Sequence, residues 1–243
     1  YEGYEPVTKG GEGGAEIWVT SLDDSGPGTM REAVAGLKGS PATVKFRVSG
    51  GIELNNPLKI TKPFVTIAGE TAPPPGITLE CGSGGSFRAM EIKTNDIIIR
   101  HLRIRNTAKE GIQVFGRFNI IIDHCSISKT GDGAIDVNGG THHVIVSRCL
   151  FAECTEAHRT YGIKTSFHHN LYIWCNRRQP KIYKAGPDFD FRNNLVRYWT
   201  NTGTNVQVSD GVNIINNYYG PPAPGETWNT AFLTSGSKNL YTS

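Results

Sequence analysis

Acidic residues in the middle of the chain have the type and spacing of a cation site. Asp132 and Asp136 lie four residues apart, and Glu110 stands just ahead of the strand-like segment 112–114. Even spacing along an extended strand puts both aspartates on one face. Clustered carboxylates repel one another unless a cation lies between them, and oxygen ligands favour Ca²⁺ over zinc or copper. The sequence therefore predicts a calcium site at Glu110, Asp132 and Asp136, with ordinary polar residues at strand ends as the alternative.

Basic residues follow these acids along the chain. Between positions 177 and 197, six cations stand against only two acids, and the cations are Arg177, Arg178, Lys181, Lys184, Arg192 and Arg197. Carboxylates beside guanidinium and ammonium groups suit a polymer of uronic acids, because a metal ion bridges the sugar carboxylate to the protein and arginine binds it directly. The residues thus predict an acidic polysaccharide as the partner, although a solvated basic face has the same composition.

Composition argues against several other classes of function. The net charge of +3 over 243 residues is too small to indicate nucleic-acid binding through bulk electrostatics. No run approaches the ~18 apolar residues that a membrane span needs. The five cysteines include no C-x-x-C pair, so a zinc site is not indicated. Tyr1 is not an initiator Met, which fits a processed form of the protein.

A repeat in the sequence predicts how distant residues are brought together. An apolar strand, a polar pair and a second apolar strand recur six times between residues 97 and 220. The residue after the polar pair recurs at spacings of 23, 24, 21, 24 and 23 residues, at Leu102, Cys125, Cys149, Asn170, Asn194 and Asn217. A period of ~20–25 residues is typical of one turn of a solenoid.

The content of Ile, Val, Phe and Thr favours strands in each turn, so we expect an all-β fold, a parallel β-helix. Equivalent residues of successive coils then stack at the inter-strand distance. Asn170, Asn194 and Asn217 are predicted to form a hydrogen-bonded ladder at a tight bend. Cys125 and Cys149 share the same column and are predicted to stack as buried free thiols, with a strained bridge as the alternative.

The ends of a solenoid must be covered. The segment 24–34 is predicted to form a short N-terminal capping helix, because Thr29 and Glu32 have capping-box spacing. The tail from Pro221 is rich in Gly, Pro, Thr and Ser and is expected to wrap the outside. No linker composition interrupts the chain, so residues 1–243 are predicted to form a single catalytic domain.

Four segments carry a family resemblance. Residues 119–124 read Asn-Ile-Ile-Ile-Asp-His, 165–170 Thr-Ser-Phe-His-His-Asn, 178–180 Arg-Gln-Pro and 191–194 Phe-Arg-Asn-Asn. They resemble the Trp-Ile-Asp-His, Thr-x-His-His-Asn, Arg-x-Pro-x-x-Arg and Asn-Asn segments of the pectate lyase family of polysaccharide lyases, with Ile in place of Trp. The resemblance implies a secreted, monomeric enzyme with a right-handed parallel β-helix. It also implies cleavage of polygalacturonate by calcium-assisted β-elimination.

The resemblance also implies roles for individual residues. Asp132 and Asp136 fall where the family keeps two calcium-binding acids, and Glu110 falls where it keeps a third. Arg178 falls on the arginine taken as the base that removes the C5 proton of the sugar. Because an arginine is ordinarily protonated, this role requires neighbouring cations that favour its neutral form.

Three positions depart from the family pattern. A fourth acid of the family is Ala108 here, its second signature arginine is Tyr183, and its substrate-binding lysine aligns nearest Glu156. Other cations would then bind the substrate carboxylates, and the candidates are Arg159, Lys164, Lys181 and Lys184. These departures weaken the expectation of ordinary pectate specificity more than the expectation of lyase chemistry.

Two further classes of function stay open on sequence grounds. A β-helical glycoside hydrolase of the polygalacturonase type needs two or three carboxylates as acid and base. Asp132 and Asp136 offer such a pair, but no Asp-Asp or Gly-His-Gly segment accompanies them. A non-catalytic β-helical carbohydrate-binding protein is the other alternative, and Arg178 would then be one contact among several.

Overall fold

The computed structural model describes residues 3, 8–82, 86–184, 188–226 and 230–242. In that part of the chain, strands that alternate in a fixed order among three sheets form a parallel β-solenoid of about nine turns. This confirms the all-β, parallel β-helical prediction. No helix among these residues has the length and apolar character that crossing a membrane requires.

Sheet 1 has ten described strands, and every neighbouring pair is parallel. In spatial order they are β1 (Ala15–Val19), β2 (Ala42–Phe46), β5 (Val65–Ala68), β8 (Ile97–Arg100), β11 (Phe118–Asp123), β14 (His142–Ser147), β17 (Ile163–His168), β20 (Phe189–Arg192), β23 (Asp210–Ile215) and β26 (Lys238–Thr242).

Sheets 2 and 3 have eight described parallel strands each. Sheet 2 contains β3 (Gly50–Leu54), β6 (Ile77–Cys81), β9 (Arg103–Thr107), β12 (Ser126–Thr130), β15 (Leu150–Ala152), β18 (Leu171–Ile173), β21 (Leu195–Arg197) and β24 (Tyr218–Tyr219). Sheet 3 contains β4 (Leu58–Ile60), β7 (Met90–Ile92), β10 (Ile112–Phe115), β13 (Gly133–Asn138), β16 (Glu156–Thr160), β19 (Lys181–Tyr183), β22 (Thr202–Gln207) and β25 (Thr230–Ser235).

The apolar positions of each strand stack into the interior of the solenoid. Along sheet 1, one such column runs in register through Ile99, Ile122, Val146, Phe167 and Phe191. All five side chains are buried. Because each strand is β-branched or aromatic at these positions, successive coils bury one another's apolar face, which is the main source of stability in a solenoid.

The ladder of asparagines lies at the bend from sheet 1 to sheet 2, as predicted. The backbone amide of Cys149 donates to Oδ1 of Asn170, that of Asn170 to Oδ1 of Asn194, and that of Asn194 to Oδ1 of Asn217, each at 2.9 Å. The residue before each rung, such as His169 or Asn193, has a positive φ that makes the bend tight. The cysteine prediction is also confirmed, since Cys125 and Cys149 are buried free thiols.

The first coil is covered by the predicted helix, α1 (Met30–Ala35), which packs against β1, β2 and β4. The Thr29 hydroxyl accepts a hydrogen bond from the Glu32 amide at 3.2 Å, and the inner face of the helix is buried. A 3-10 turn spans Gly69–Thr71.

The expectation for the C-terminal tail was wrong. After Pro221 the chain does not only wrap the outside, because β25 pairs with β22 in sheet 3 and β26 pairs with β23 in sheet 1. The tail therefore adds another coil. Its turn-forming composition belongs to the loop that precedes β25, whose residues 227–229 lie outside the described part of the chain.

A histidine inside the core makes acid stability a testable property of the fold. His158 is fully buried among Phe151, Phe167 and Tyr172, and its Nδ1 lies 3.1 Å from the Ile135 carbonyl oxygen. Burial lowers the pKa of His158 from 6.5 to about 3. The unfolded chain therefore takes up this proton first as the pH falls, and stability is lost between pH 6.5 and about pH 3.

We expect the free energy of unfolding to fall by about 2–3 kcal/mol from this group alone between about pH 7 and about pH 4.5. Urea titrations at both pH values measure the effect. His158→Phe should show a smaller decrease over the same interval, whereas His142→Phe, at a half-buried position outside the core, should behave like the wild type. Equal acid sensitivity of His158→Phe and the wild type would refute the assignment.

Candidate active site

Sheet 3 presents a column of charged and polar side chains at one position of successive strands. Gln113 pairs with Glu91 on one side and Asp136 on the other, Asp136 pairs with Arg159, and Arg159 pairs with Lys181. Neighbouring strands lie about 4.8 Å apart. This charged column, residues 91, 113, 136, 159 and 181, therefore changes from acidic to basic between β13 and β16.

The three predicted cation-binding carboxylates act on one another electrostatically near the point where the charged column changes from acidic to basic. Asp136 is buried and folds back over Gly133, where a Cβ atom would lie only 2.4 Å from Asp136 Oδ1. Burial raises the pKa of Asp136 to about 7, and the Glu110 and Asp132 carboxylates add to the effect. Burial also raises the pKa of Asp132, with Glu156 and Glu110 contributing. The acids predicted from sequence thus lie within electrostatic range of one another.

The coordination of a metal by these acids is not preformed. Among the described residues, no group of three or more His, Cys, Asp or Glu side chains is arranged to hold an ion. Glu110 instead accepts a hydrogen bond from Arg88 Nε at 2.9 Å, and Arg88 also pairs with Glu91 at 2.8 Å. Asp132 and Asp136 still offer an oxygen-only donor set whose mutual repulsion a divalent cation would relieve, which is the chemistry that Ca²⁺ requires.

Arg178 lies at the boundary between the acids and the cations. It forms a short ion pair with Glu156, which is buried at the start of β16 and is also held by Arg177 at 2.9 Å. In the sequence, Glu156 was noted only because it aligns nearest the position where the pectate lyase family keeps a substrate-binding lysine. Its contacts with Arg177 and Arg178 could not be predicted.

The predicted substrate-binding cations divide into two groups. Arg159 and Lys181 lie side by side in the charged column, and burial with the charges of Arg178 and Arg159 lowers the pKa of Lys181. Lys184 follows β19, with its ammonium 5.3 Å from the centroid of the Tyr183 ring. Lys164 is different, because it lies exposed in β17 of sheet 1.

An aromatic column runs beside the charged column, two residues further along each strand. Phe115 pairs with Asn138, and Tyr161 and Tyr183 occupy the next coils, their rings at 5.3 Å in an edge-to-face arrangement. The Phe115 ring covers Gly139, where a Cβ atom would lie 2.7 Å from it. The aromatic column was not predicted from the sequence, although the spacing of 23 residues from Phe115 to Asn138 and from Asn138 to Tyr161 was a signal for it.

The amino-acid sequence is similar to those of curated pectate lyases. A probable pectate lyase C from Emericella nidulans is 33% identical over 99% of the chain, and one from Aspergillus flavus is 34% identical over 99% of it. The resemblance to the pectate lyase family is confirmed. The chain spans 56% and 57% of the length of these two relatives. No protein-family model matches the chain.

Solved pectate lyase structures share the fold. A pectate lyase from a Bacillus species, in complex with trigalacturonate, superimposes with a TM-score of 0.67 at 16% identity, covering 100% of this chain and 87% of that one. Pectate lyase C from Erwinia chrysanthemi, at pH 9.5 with 30 mM Ca²⁺, superimposes with a TM-score of 0.62 at 17% identity, covering 98% of this chain and 79% of that one. At these identities the likeness extends to the β-solenoid and its topology.

Proposed function

We propose that this protein is a polysaccharide lyase that cleaves polygalacturonate by β-elimination, acting as a secreted monomer. The observation that carries the proposal is the charged column of sheet 3, in which the buried Asp136 carboxylate is followed by Arg159 and Lys181. Similarity to probable pectate lyases C over 99% of the chain supports it. The trigalacturonate bound to the Bacillus relative supports a uronic acid polymer as substrate.

The reaction requires that a proton be removed from C5 of a uronic acid residue, next to its carboxylate. The electron pair of the broken C5–H bond forms the C4–C5 double bond, the C4–O4 bond breaks, and the departing sugar oxygen takes up a proton. Charge builds up on the carboxylate in the transition state, so cations aimed at it accelerate the reaction. Arg159, Lys181 and Lys184 would bind and orient the substrate carboxylates, and Lys164 would contact the chain further from the reacting bond.

Arg178 would serve as the base that accepts the C5 proton. Only a neutral guanidinium can do so, and the role therefore requires neighbouring cations that favour that form. Lys181 is close enough for the charge of Arg178 to act on it, and Arg177 shares the Glu156 carboxylate. Glu156 fixes the position of Arg178 through their ion pair.

Asp132 and Asp136 would hold Ca²⁺, and Glu110 would join them by exchanging its contact with Arg88. When bound, Ca²⁺ would neutralise the substrate carboxylate and so make the C5 proton more acidic. The raised pKa of Asp136, caused by burial and then by the neighbouring Glu110 and Asp132 carboxylates, supports the proposal because an ion there would offset that repulsion.

Products formed from polygalacturonate with and without EDTA test the function. A lyase gives an unsaturated uronate, detected by its ultraviolet absorbance, and the proposal requires that EDTA abolish the increase. New reducing ends without that absorbance would identify the polygalacturonase-type hydrolase instead. Polymer binding without either product would identify a carbohydrate-binding protein.

Glu156→Gln tests whether this carboxylate positions Arg178. The substitution removes the ion pairs that Glu156 forms with Arg178 and Arg177. Looser placement of Arg178 should lower the maximal kcat by on the order of tenfold. Rates of unsaturated product formation at saturating substrate measure the effect.

Glu91→Gln is the matched control for this substitution. Glu91 is also a buried glutamate paired with an arginine, Arg88, but lies at the far end of the charged column. It should leave kcat nearly unchanged. An equal kcat for Glu156→Gln and Glu91→Gln would show that Glu156 does not position Arg178 during the reaction.

A further inference from the structure

Two histidines stack on each other at the bend from sheet 1 to sheet 2, away from the charged column of sheet 3. His101 follows β8 and His124 follows β11, and these strands pair in register up to Arg100 and Asp123. Both histidines have a positive φ, 54° and 52°, and both are exposed. Their ring centroids lie 4.7 Å apart, with 16° between the ring planes. Two imidazoles from adjacent coils therefore lie side by side at the surface.

The His124 ring is held in one orientation by a buried carboxylate. Its Nδ1 lies 2.8 Å from Asp123 Oδ2. Asp123 is itself fixed, because it accepts a hydrogen bond from the Ser147 hydroxyl at 2.5 Å and lies 3.6 Å from the Arg148 guanidinium. A carboxylate that accepts the Nδ1 proton leaves the Nε2 lone pair directed away from it, which is how metal-binding histidines are commonly oriented.

Each of the other five histidines is buried or has a ring nitrogen next to that of a neighbouring histidine. His158 lies in the core. The Nδ1 atoms of His142 and His143 are 2.6 Å apart, and those of His168 and His169 are 2.9 Å apart, both within hydrogen-bonding distance. The stacked pair differs from these, because its carboxylate contact directs a nitrogen lone pair outwards.

We propose that His101 and His124 together bind a divalent transition-metal ion such as Zn²⁺, with water as the remaining ligands. Imidazole nitrogen suits zinc, copper and nickel, and zinc–nitrogen bonds of about 2.1 Å place two tetrahedral ligands roughly 3.4 Å apart. The ring centroids are 4.7 Å apart. A tilt of the two exposed rings towards each other brings their nitrogens within reach of one ion, and the broad χ2 torsion of histidine permits it.

The surroundings of the pair suit a bound cation. Arg148 is opposed by Asp123, and Arg100 is paired with Glu70 at 2.5 Å, so the charges of the neighbouring arginines are offset. An ion held by both histidines links the coil of β8 to the coil of β11. Because each coil of a solenoid contacts only its neighbours, such a link resists separation of the coils at that interface. Zn²⁺ should therefore bind the folded protein and raise its free energy of unfolding.

Calorimetric titration with ZnCl₂ tests the proposal, on protein without a histidine tag and with excess Ca²⁺ to occupy sites built from oxygen ligands alone. His101→Asn and His124→Asn are the variants, because asparagine tolerates the positive φ of both positions and carries no imidazole. Each substitution should weaken Zn²⁺ binding by at least about tenfold, since the second ligand no longer closes on the ion. The double variant should bind hardly more weakly than either single variant, because one ion needs both rings.

His143→Asn is the matched control. His143 also has a positive φ, 54°, and lies against another histidine, but its partner is His142. This variant should bind Zn²⁺ like the wild type. Urea unfolding with and without ZnCl₂ gives a second readout, in which Zn²⁺ should stabilise the wild type and His143→Asn but not His101→Asn. Absence of binding by the wild type, single losses that add up in the double variant, or a loss in His143→Asn would each overturn the proposal.

Discussion

Arg178→Lys should lower kcat on polygalacturonate by about a thousandfold, which is within the range for loss of a positioned base. Lysine keeps the positive charge but cannot place a neutral nitrogen where the guanidinium of Arg178 lies. Substrate binding through Arg159 and Lys181 should persist, so KM should change only a few-fold. Initial rates of unsaturated product formation at saturating Ca²⁺ measure the effect, and thermal unfolding checks that the variant folds.

Arg177→Lys is the control for this prediction. Arg177 is the adjacent residue and shares the Glu156 carboxylate at 2.9 Å, but its side chain is more exposed than that of Arg178. It should lose less than about tenfold in kcat. Full activity of Arg178→Lys would show that the base is another group, and an equal loss in both variants would show that Arg178 has no role distinct from that of Arg177.

Asp136→Asn should abolish the response of the protein to Ca²⁺ and yet stabilise the metal-free protein. Burial, and then the Glu110 and Asp132 carboxylates, raise the pKa of Asp136 to about 7. Because the unfolded chain loses this proton at lower pH, the folded state becomes less stable as the pH rises from 3.8 towards 7. Asparagine removes that charge and keeps an oxygen that can accept the hydrogen bond from the Arg159 amide, which is 3.2 Å long. The stability gain in EDTA at about pH 8 should be about 1–3 kcal/mol.

Urea unfolding with EDTA and with Ca²⁺ measures both parts of this prediction. The wild type should be stabilised by Ca²⁺ and Asp136→Asn should not, because one oxygen ligand has lost its charge. Asp190→Asn is the control, since Asp190 is also buried with its pKa raised, but it lies in sheet 1 beside Arg192. It should keep the full Ca²⁺ response. Retention of that response by Asp136→Asn would exclude Asp136 as a ligand.

The fold was largely predictable from sequence because successive coils repeat the same pattern of an apolar strand, a polar pair and a second apolar strand. The spacing of Asn170, Asn194 and Asn217 predicted both the register and the ladder that the structure contains. The same repeat predicted that Glu110 and Asp136 would approach one another although they are separated along the chain. The C-terminal coil was missed because the Gly- and Pro-rich loop before Thr230 lengthens the repeat and hides the strand that follows.

The sequence repeat could not predict which charged side chains of the site form ion pairs with one another. Arg88 lies in an irregular segment before β7, so no periodic signal indicated that it holds Glu110. Glu156 was recognisable as a departure from a family pattern, but its ion pair with Arg178 depends on side-chain directions that strand spacing does not specify. Periodicity predicts which positions share a face, and the choice of partners among several charges on that face follows from local geometry.

The source of the oxygen at the new chain ends distinguishes β-elimination from hydrolysis. Polygalacturonate is incubated with the protein and Ca²⁺ in water enriched in ¹⁸O, and the product masses are measured by mass spectrometry before the reducing ends exchange oxygen with the solvent. Because β-elimination adds no water, we expect an unsaturated uronate and products free of the heavy isotope. Saturated products that carry ¹⁸O at each new reducing end would contradict the lyase function and identify a hydrolase.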